Sequence, residues 1–448
     1  KEEPKPIKKK RIIKKVIYQE ASSSDSDDAD EVEVVKVKKS SKNKNIENVK
    51  PQQPQQNINN SYSNLLYESS IDNLKNRMMN RKQKNIFWVS LMAVGFVGTA
   101  FGGNPERQGQ AGAAQLTING WARSSGMGWA NGGKVSGAEA MYMNVGGLDR
   151  FKNNTELVFA RTEWLMGSGI AINSVALAQK MGEGGEGGTF GISVMQYSIK
   201  PIDITTEDNP YGGIGTFRVN MSNIGLAYSK SFSNNISAGV MAKIVSEGIP
   251  DASASGVALD AGVQYVTTFR PTKGGMKKDD FKFGISMKNI GPDMTHTGDG
   301  LSYKAILDNG TFTKTVQVKV DQIKLPALLN IAASYDIRLD KNANQYDNKL
   351  TVGFGFTNFA YTANQLTLAC EYSYKEFLTL RGGFVYQQGI FDSEVRPSAF
   401  TGPQAGISYD FAVGEDGNQV SLDYSYRATN PFNGVHSFGL RIGLGTAE

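Results

Sequence analysis

The residues best suited to chemistry are few: two histidines, His296 and His436, and a single cysteine, Cys370. His296 sits in Thr295-His296-Thr297 with Asp293 and Asp299 close in sequence, and His436 stands beside Ser437. A hydrolase needs such a base held against a nucleophile by a framing motif. No such motif surrounds either histidine, so a solvent-facing loop residue and a strand-rim residue are the plainer readings. One cysteine excludes an intramolecular disulfide, a CxxC pair and an all-cysteine zinc site. Glu183-Gly184-Gly185-Glu186 lacks the lysine and the strand-to-helix setting of a phosphate loop. Glu207-Asp208 and Glu415-Asp416-Gly417-Asn418 lack the ligand spacing of a calcium loop and suit turns. The expectation is a non-enzyme with no catalytic residue, metal or cofactor.

What remains is binding chemistry. Asp208-Asn209-Pro210-Tyr211-Gly212-Gly213, followed by Phe217, joins a proline turn, an aromatic and two glycines in one loop. Tyr offers a large contact surface with little rotamer entropy to lose, which suits a partner-binding loop. A second group is polar but alternates with apolar neighbours: Asp260, Gln264, Glu371, Arg381 and Asp423.

That alternation defines the elements. Leu366-Leu368-Cys370-Tyr372-Tyr374 interleaves with Thr367-Ala369-Glu371-Ser373, and Val420-Leu422-Tyr424-Tyr426 with Ser421-Asp423-Ser425-Arg427. Period two means a strand with one apolar face and one small or polar face. Strands are predicted at 154–165, 168–180, 189–198, 221–231, 236–247, 256–270, 281–290, 326–338, 349–358, 365–375, 377–388, 404–413, 419–427 and 436–444. A soluble sandwich would also alternate. Stripes ending in Tyr or Phe, and strands near the ~9–11 residues that cross a bilayer, favour a transmembrane barrel. The connections also alternate in length, with 199–220, 291–325 and 389–403 long, as in barrels with short turns on the periplasmic side and long loops outside. Long loops on a rigid scaffold are where recognition concentrates. By parity, turns 232–235 and 271–280 belong at the opposite end. The lumen positions Asp260, Gln264, Glu371, Arg381 and Asp423 then face either an open channel or a packed interior.

The chain before the strands has a different texture. Net charge is +5 over 448 residues, but residues 1–78 hold 16 basic and 12 acidic side chains, whereas 101–448 hold 29 and 31. The strand region is therefore no basic nucleic-acid binder. Residues 1–78 are polar and low in complexity and read as a disordered extension, with no Met before Met78; an upstream extension, a fusion or translation from before the natural start would each explain them. From Met79 a basic run, the apolar Ile86–Val97 and then Gly98-Thr99-Ala100 reproduce the anatomy of a secretory signal peptide over 79–100, shorter than the ~20 residues of a membrane span. Mean hydropathy of −0.35 excludes a bundle of transmembrane helices. Residues 101–153 are rich in small residues, which lets backbone approach backbone and suits a plug inside a barrel; a surface extension is the other reading. Trp121, Arg123, Met141, Asn144 and Leu148 are its candidate plug residues.

Gly102-Gly103-Asn104-Pro105-Glu106-Arg107-Gln108-Gly109-Gln110-Ala111-Gly112-Ala113, Trp121-Ala122-Arg123-Ser124-Ser125-Gly126 and Ala160-Arg161-Thr162-Glu163-Trp164-Leu165 resemble the PorV/PorQ family of the type IX secretion system. So do Gly212-Gly213-Ile214-Gly215-Thr216-Phe217, Lys288-Asn289-Ile290-Gly291-Pro292 and Tyr426-Arg427-Ala428-Thr429-Asn430-Pro431-Phe432. The resemblance spans about 101–444. It implies an all-β outer-membrane barrel of about fourteen antiparallel strands over 154–448, FadL-like, with an N-terminal segment in the lumen. Asn144-Val145-Gly146-Gly147-Leu148 is similar to the Asn-Pro-Ala-Gly-Leu turn of FadL-type barrels. The resemblance further implies three partners besides outer-membrane lipid: an SprA-type translocon, secreted cargo carrying type IX C-terminal domains, and the attachment complex with a PorU-type sortase. Two departures stand out: residues 1–78 have no counterpart, and the chain ends Gly445-Thr446-Ala447-Glu448 rather than on an aromatic. Uptake of hydrophobic small molecules through a FadL-like channel is the alternative function.

Overall fold

A computed structural model describes residues 105–269, 279–306, 312–340, 347–414 and 417–446. The extension 1–78, the signal-like 79–100 and most of the 271–280 turn lie outside these. Fourteen strands form one closed antiparallel barrel: β1 Asn153–Trp164, β2 Ile170–Lys180, β3 Thr189–Ile199, β6 Asn220–Ser231, β7 Ile236–Ile249, β8 Ala252–Thr267, β9 Phe281–Ile290, β12 Leu328–Arg338, β13 Asn348–Phe359, β14 Gln365–Tyr374, β15 Leu378–Gln387, β16 Phe400–Val413, β17 Asn418–Thr429 and β18 Val435–Thr446. Two ribbons rise from the long loops, β4 Ile202–Asp203 with β5 Thr216–Phe217, and β10 Ser302–Ile306 with β11 Thr313–Gln317. Closure is made by β18 on β1, in register from Asn153 opposite Thr446 to Glu163 opposite His436.

The barrel is inside out relative to a soluble domain. Phe159, Leu226, Val240, Leu259, Met287, Leu368, Leu422 and Phe438 are exposed on its outer surface. Ser193, Asn330, Thr351, Thr367, Ser408, Ser421 and Arg441 are buried on the lumen side. Large contiguous apolar surface is what a bilayer solvates and water does not, so the alternation belongs to a membrane barrel rather than a sandwich. Cys370 lies on this outer face, exposed.

All fourteen predicted strands are present. The largest shifts are at β8, which runs Ala252–Thr267 rather than 256–270, and at β16, which starts at Phe400 rather than 404, where the pairing with β17 slips between Phe400 and Gln404. That irregularity admits Pro403, which cannot donate to a regular ladder. A second slip, between Leu259 and Ala261 opposite β9, goes with Asn289 at φ 60°. The two ribbons were not foreseen.

Residues 105–152 fill the lumen with short turns of helix, among them Ala122–Ser125, Gly128–Gly133 and Ala140–Met143. Trp121, Met141, Met143 and Leu148 form one apolar cluster with wall residues Val158, Ile172 and Met195. Burying each such side chain contributes roughly 1.5–3 kcal/mol. The wall comes close enough to require glycine: a Cβ on Gly355 would stand 2.8 Å from the Ala130 nitrogen, and one on Gly146 would stand 2.8 Å from the Gly262 oxygen. The segment is a plug.

Candidate functional site: a plugged lumen with an apolar chamber

Charged tethers fix the plug to the wall. Arg123 donates from Nε to Asp423 Oδ1 at 2.8 Å and from Nη2 to Asp410 Oδ1 at 2.6 Å. Lys134 pairs with Glu371, whose other oxygen accepts from Arg381 Nε at 2.7 Å, and Arg381 Nη1 reaches Ser408 at 2.5 Å. Glu139 accepts from Arg441 Nη2 at 2.8 Å, while Arg441 Nη1 holds Glu156 at 2.6 Å. Gln264 Nε2 donates to the plug carbonyls of Val135 at 2.9 Å and Gly132 at 3.3 Å. Asn144 ties the turn together: its Nδ2 donates to Gly132 O at 2.9 Å and Val263 O at 3.1 Å, and its Oδ1 accepts from Gly146 N at 3.1 Å. Asp260 pairs within the wall with Lys243, at 2.7 Å, and accepts from the Asn289 backbone at 2.8 Å.

Of the predicted residues, Arg123 and Asp423 meet each other across the plug–wall boundary, Gln264 and Glu371 engage other plug residues, and Asp260 and Arg381 bond within the wall. Trp121, Met141 and Leu148 have packing roles. His296 is not a free loop residue: its Nε2 lies 3.3 Å from Glu247 Oε1, while Asp293 pairs with Lys324. His436 Nδ1 meets Tyr424 OH at 2.9 Å, while the neighbouring Ser437 accepts from Thr162 Oγ1 at 2.7 Å.

The partner-loop residues stand apart from the lumen. Asp208, Asn209, Pro210, Tyr211 and Gly213 are exposed, and Gly212 and Phe217 half-buried. Gly212 N donates to Asn209 O at 3.2 Å across the Pro210-Tyr211 corner, and φ of 82° at Gly212 needs a residue without Cβ. Tyr211 is 100% exposed and packs on no neighbouring loop. The 291–325 loop behaves differently, with its base folded onto the plug: Gly112 N donates to Lys324 O at 3.0 Å, and Met294 and Leu325 are buried with Ala113 and Leu116.

Above the plug, at the long-loop end, lies a cavity of about 470 Å³. Its floor is plug (Trp129, Tyr142, Met143) and its walls include Trp164, Phe359 and Phe400. Among the described residues, Arg427 is the one charged residue lining it. Its guanidinium lies 5.4 Å from the Trp164 ring centre and 5.3 Å from that of Phe400, and Nη2 donates to Asn119 O at 2.9 Å. Its Nε is buried with no acceptor among the described residues. Sequence reasoning passed over Arg427, although it continues the inward stripe Ser421-Asp423-Ser425. The aromatic lining comes from five separated segments and carried no local signal.

These features define a class, a plugged fourteen-stranded transmembrane barrel with a ligand-sized apolar chamber. No family model and no curated protein matches the sequence. Among solved structures, the Pseudomonas putida toluene transporter TodX is similar at 12% identity and a TM-score of 0.41, over 72% of this chain and 97% of that one. A Pseudomonas aeruginosa FadL homologue gives 14% identity and 0.41, over 73% and 98%. The Acinetobacter baumannii outer membrane protein Omp33 gives 10% and 0.31, over 66% and 98%.

Proposed function

We propose that the protein is a non-enzymatic outer-membrane barrel that takes hydrophobic small molecules into its lumen from the long-loop side. The observation that carries this is the apolar chamber above the plug, closed below by Trp129 and Tyr142 and open among the long loops. Ligand sites are concave and mostly apolar with a few placed polar groups, and the volume falls in the usual ~300–1,000 Å³ range. Asn119, Gln365, Gln387 and Gln404 supply neutral polar groups, and Arg427 supplies the charge and favours apolar molecules with an anionic head. Trp129 and Trp164 line the chamber, so a dibrominated long-chain carboxylate should quench their fluorescence saturably. Arg427→Met should weaken binding about tenfold, since losing a charge-assisted hydrogen bond costs roughly 1.5–3 kcal/mol. Absence of saturable quenching overturns the proposal.

A second reading is favoured by the fully exposed Tyr211 loop: a PorV-like carrier in type IX secretion, binding an SprA-type translocon and cargo and passing cargo to a PorU-type attachment complex. Pull-down from solubilised outer membranes separates the two. A very large barrel with secreted cargo selects the carrier, and a lone barrel enriched in apolar ligand selects uptake.

A further inference from the structure

Deeper in the lumen is a second, separate cavity of about 30 Å³, between plug and wall. Trp121, Met141 and Tyr142 line it from the plug, and Asn223, Lys243, Asp260 and Lys288 from the wall. All seven are buried. At ~10–15 Å³ per water-sized particle, it admits two or three such particles or a single larger ion, and no large polyatomic group.

Its lining carries two features that point to an occupant. Trp121 Nε1 and the Tyr142 hydroxyl are buried donors with no acceptor among the described residues, and Asn223 Oδ1 is likewise unpartnered there. Native interiors leave few such groups, and each costs about 1–3 kcal/mol unless something answers it. The second feature is charge. Lys243 and Asp260 neutralise one another at 2.7 Å, and Asp260 is further held by the Asn289 backbone. Lys288 has no carboxylate within ion-pair distance among the described residues. Its ammonium donates to the Tyr142 carbonyl and lies 3.8 Å from the Tyr142 ring centre and 5.3 Å from that of Trp129. With both lysines protonated, two ammonium groups against one carboxylate leave one positive charge in a buried site, and buried charge is stable only when paired.

We propose that this cavity binds a single monatomic anion, chloride under ordinary conditions, which accepts from Trp121 Nε1 and Tyr142 OH and neutralises Lys288. Because the donors are on the plug and the cation is on the wall, the anion joins the two. The site is independent of the apolar chamber's function, although Tyr142 borders both cavities.

The test is crystallisation of the detergent-solubilised barrel with bromide replacing chloride and data collected at the bromine edge. The expected result is an anomalous peak within hydrogen-bond distance of Trp121 Nε1 and Tyr142 OH. It should vanish in Lys288→Met, whose apolar chain keeps the packing volume, and weaken in Trp121→Phe, which serves the comparison if the first variant does not fold. Density without anomalous signal means water and overturns the proposal. A bromide that persists undiminished in the variant obtained overturns it equally, since the charge or donor then does not hold it. In solution, replacing chloride by gluconate, too large for the cavity, should lower the melting midpoint of the wild type. Equal midpoints in the two salts overturn the proposal as well.

Discussion

Arg123 shows how much of the site rests on single side chains. It bridges Asp410 and Asp423, which come from adjacent strands and lie nearly 300 positions away in sequence. Replacing it by Met leaves two largely buried carboxylates without their cation. Removing one partner of a buried pair costs about 3–5 kcal/mol, so Arg123→Met should lower the unfolding midpoint of the folded barrel sharply in a heat-modifiability series. The contrasting case is Lys152 with Glu376, an exposed pair at 2.7 Å across the short-turn end. The Lys152 hydrogen bond holds the Glu376 carboxyl below its ordinary range. A depressed carboxylate contributes stability above its unfolded pKa of ~4.3 and loses that contribution as pH falls through the folded value. Exposed pairs are worth about 0–1 kcal/mol, so Glu376→Gln should cost that little at pH 7 and progressively less as pH falls through the folded value. Sequence periodicity showed that Glu371, Arg381 and Asp423 face inward. It could not show that Arg381 braces Glu371 while Lys134 comes from the plug to meet it, because such partners are chosen by tertiary approach.

At the scale of elements, the strands were legible because the bilayer imposes one apolar face on each, and the two-residue period records it along the whole strand. The ribbon Ser302–Ile306 with Thr313–Gln317 has no such face: Lys304, Lys314 and Thr315 are all exposed, so nothing in its pattern marked it. The helical turns of the plug were equally silent, since their three- to six-residue lengths give no 3.6-residue repeat to read. Loop parity, by contrast, makes a direct prediction. In a Cys370→Ala background, Asp208→Cys should react on intact cells with an impermeant thiol reagent. Asn234→Cys, exposed in the opposite turn between β6 and β7, should react only after the outer membrane is opened. The reverse pattern would invert the barrel. Asp208 is the sounder probe of the outer end, because its loop projects freely while the base of 291–325 is packed on the plug.

Across the whole molecule, the plug is held by two unlike kinds of contact distributed around the lumen. Glycines of β8, β13 and β16 bring backbone to backbone, at Gly262 against Gly146, Gly355 against Ala130 and Gly406 against Gly126. The ion pairs of Arg123, Lys134 and Glu139 engage β14, β16, β17 and β18. Glycine contact fixes distance but supplies little restoring force, whereas each ion pair resists withdrawal by exposing two charges when it breaks. Closure of the lumen should therefore depend on the charged contacts. In planar bilayers the wild-type barrel should pass little ion current, and Gly355→Val, which forces a side chain into the plug backbone, should raise it modestly. Neutralising Arg123, Lys134 and Glu139 together should raise conductance far more than the three single changes summed, since any two remaining tethers still seat the plug and coupled sites are not additive. Strictly additive conductance would mean that each tether gates its own local leak and that the plug does not move as a unit.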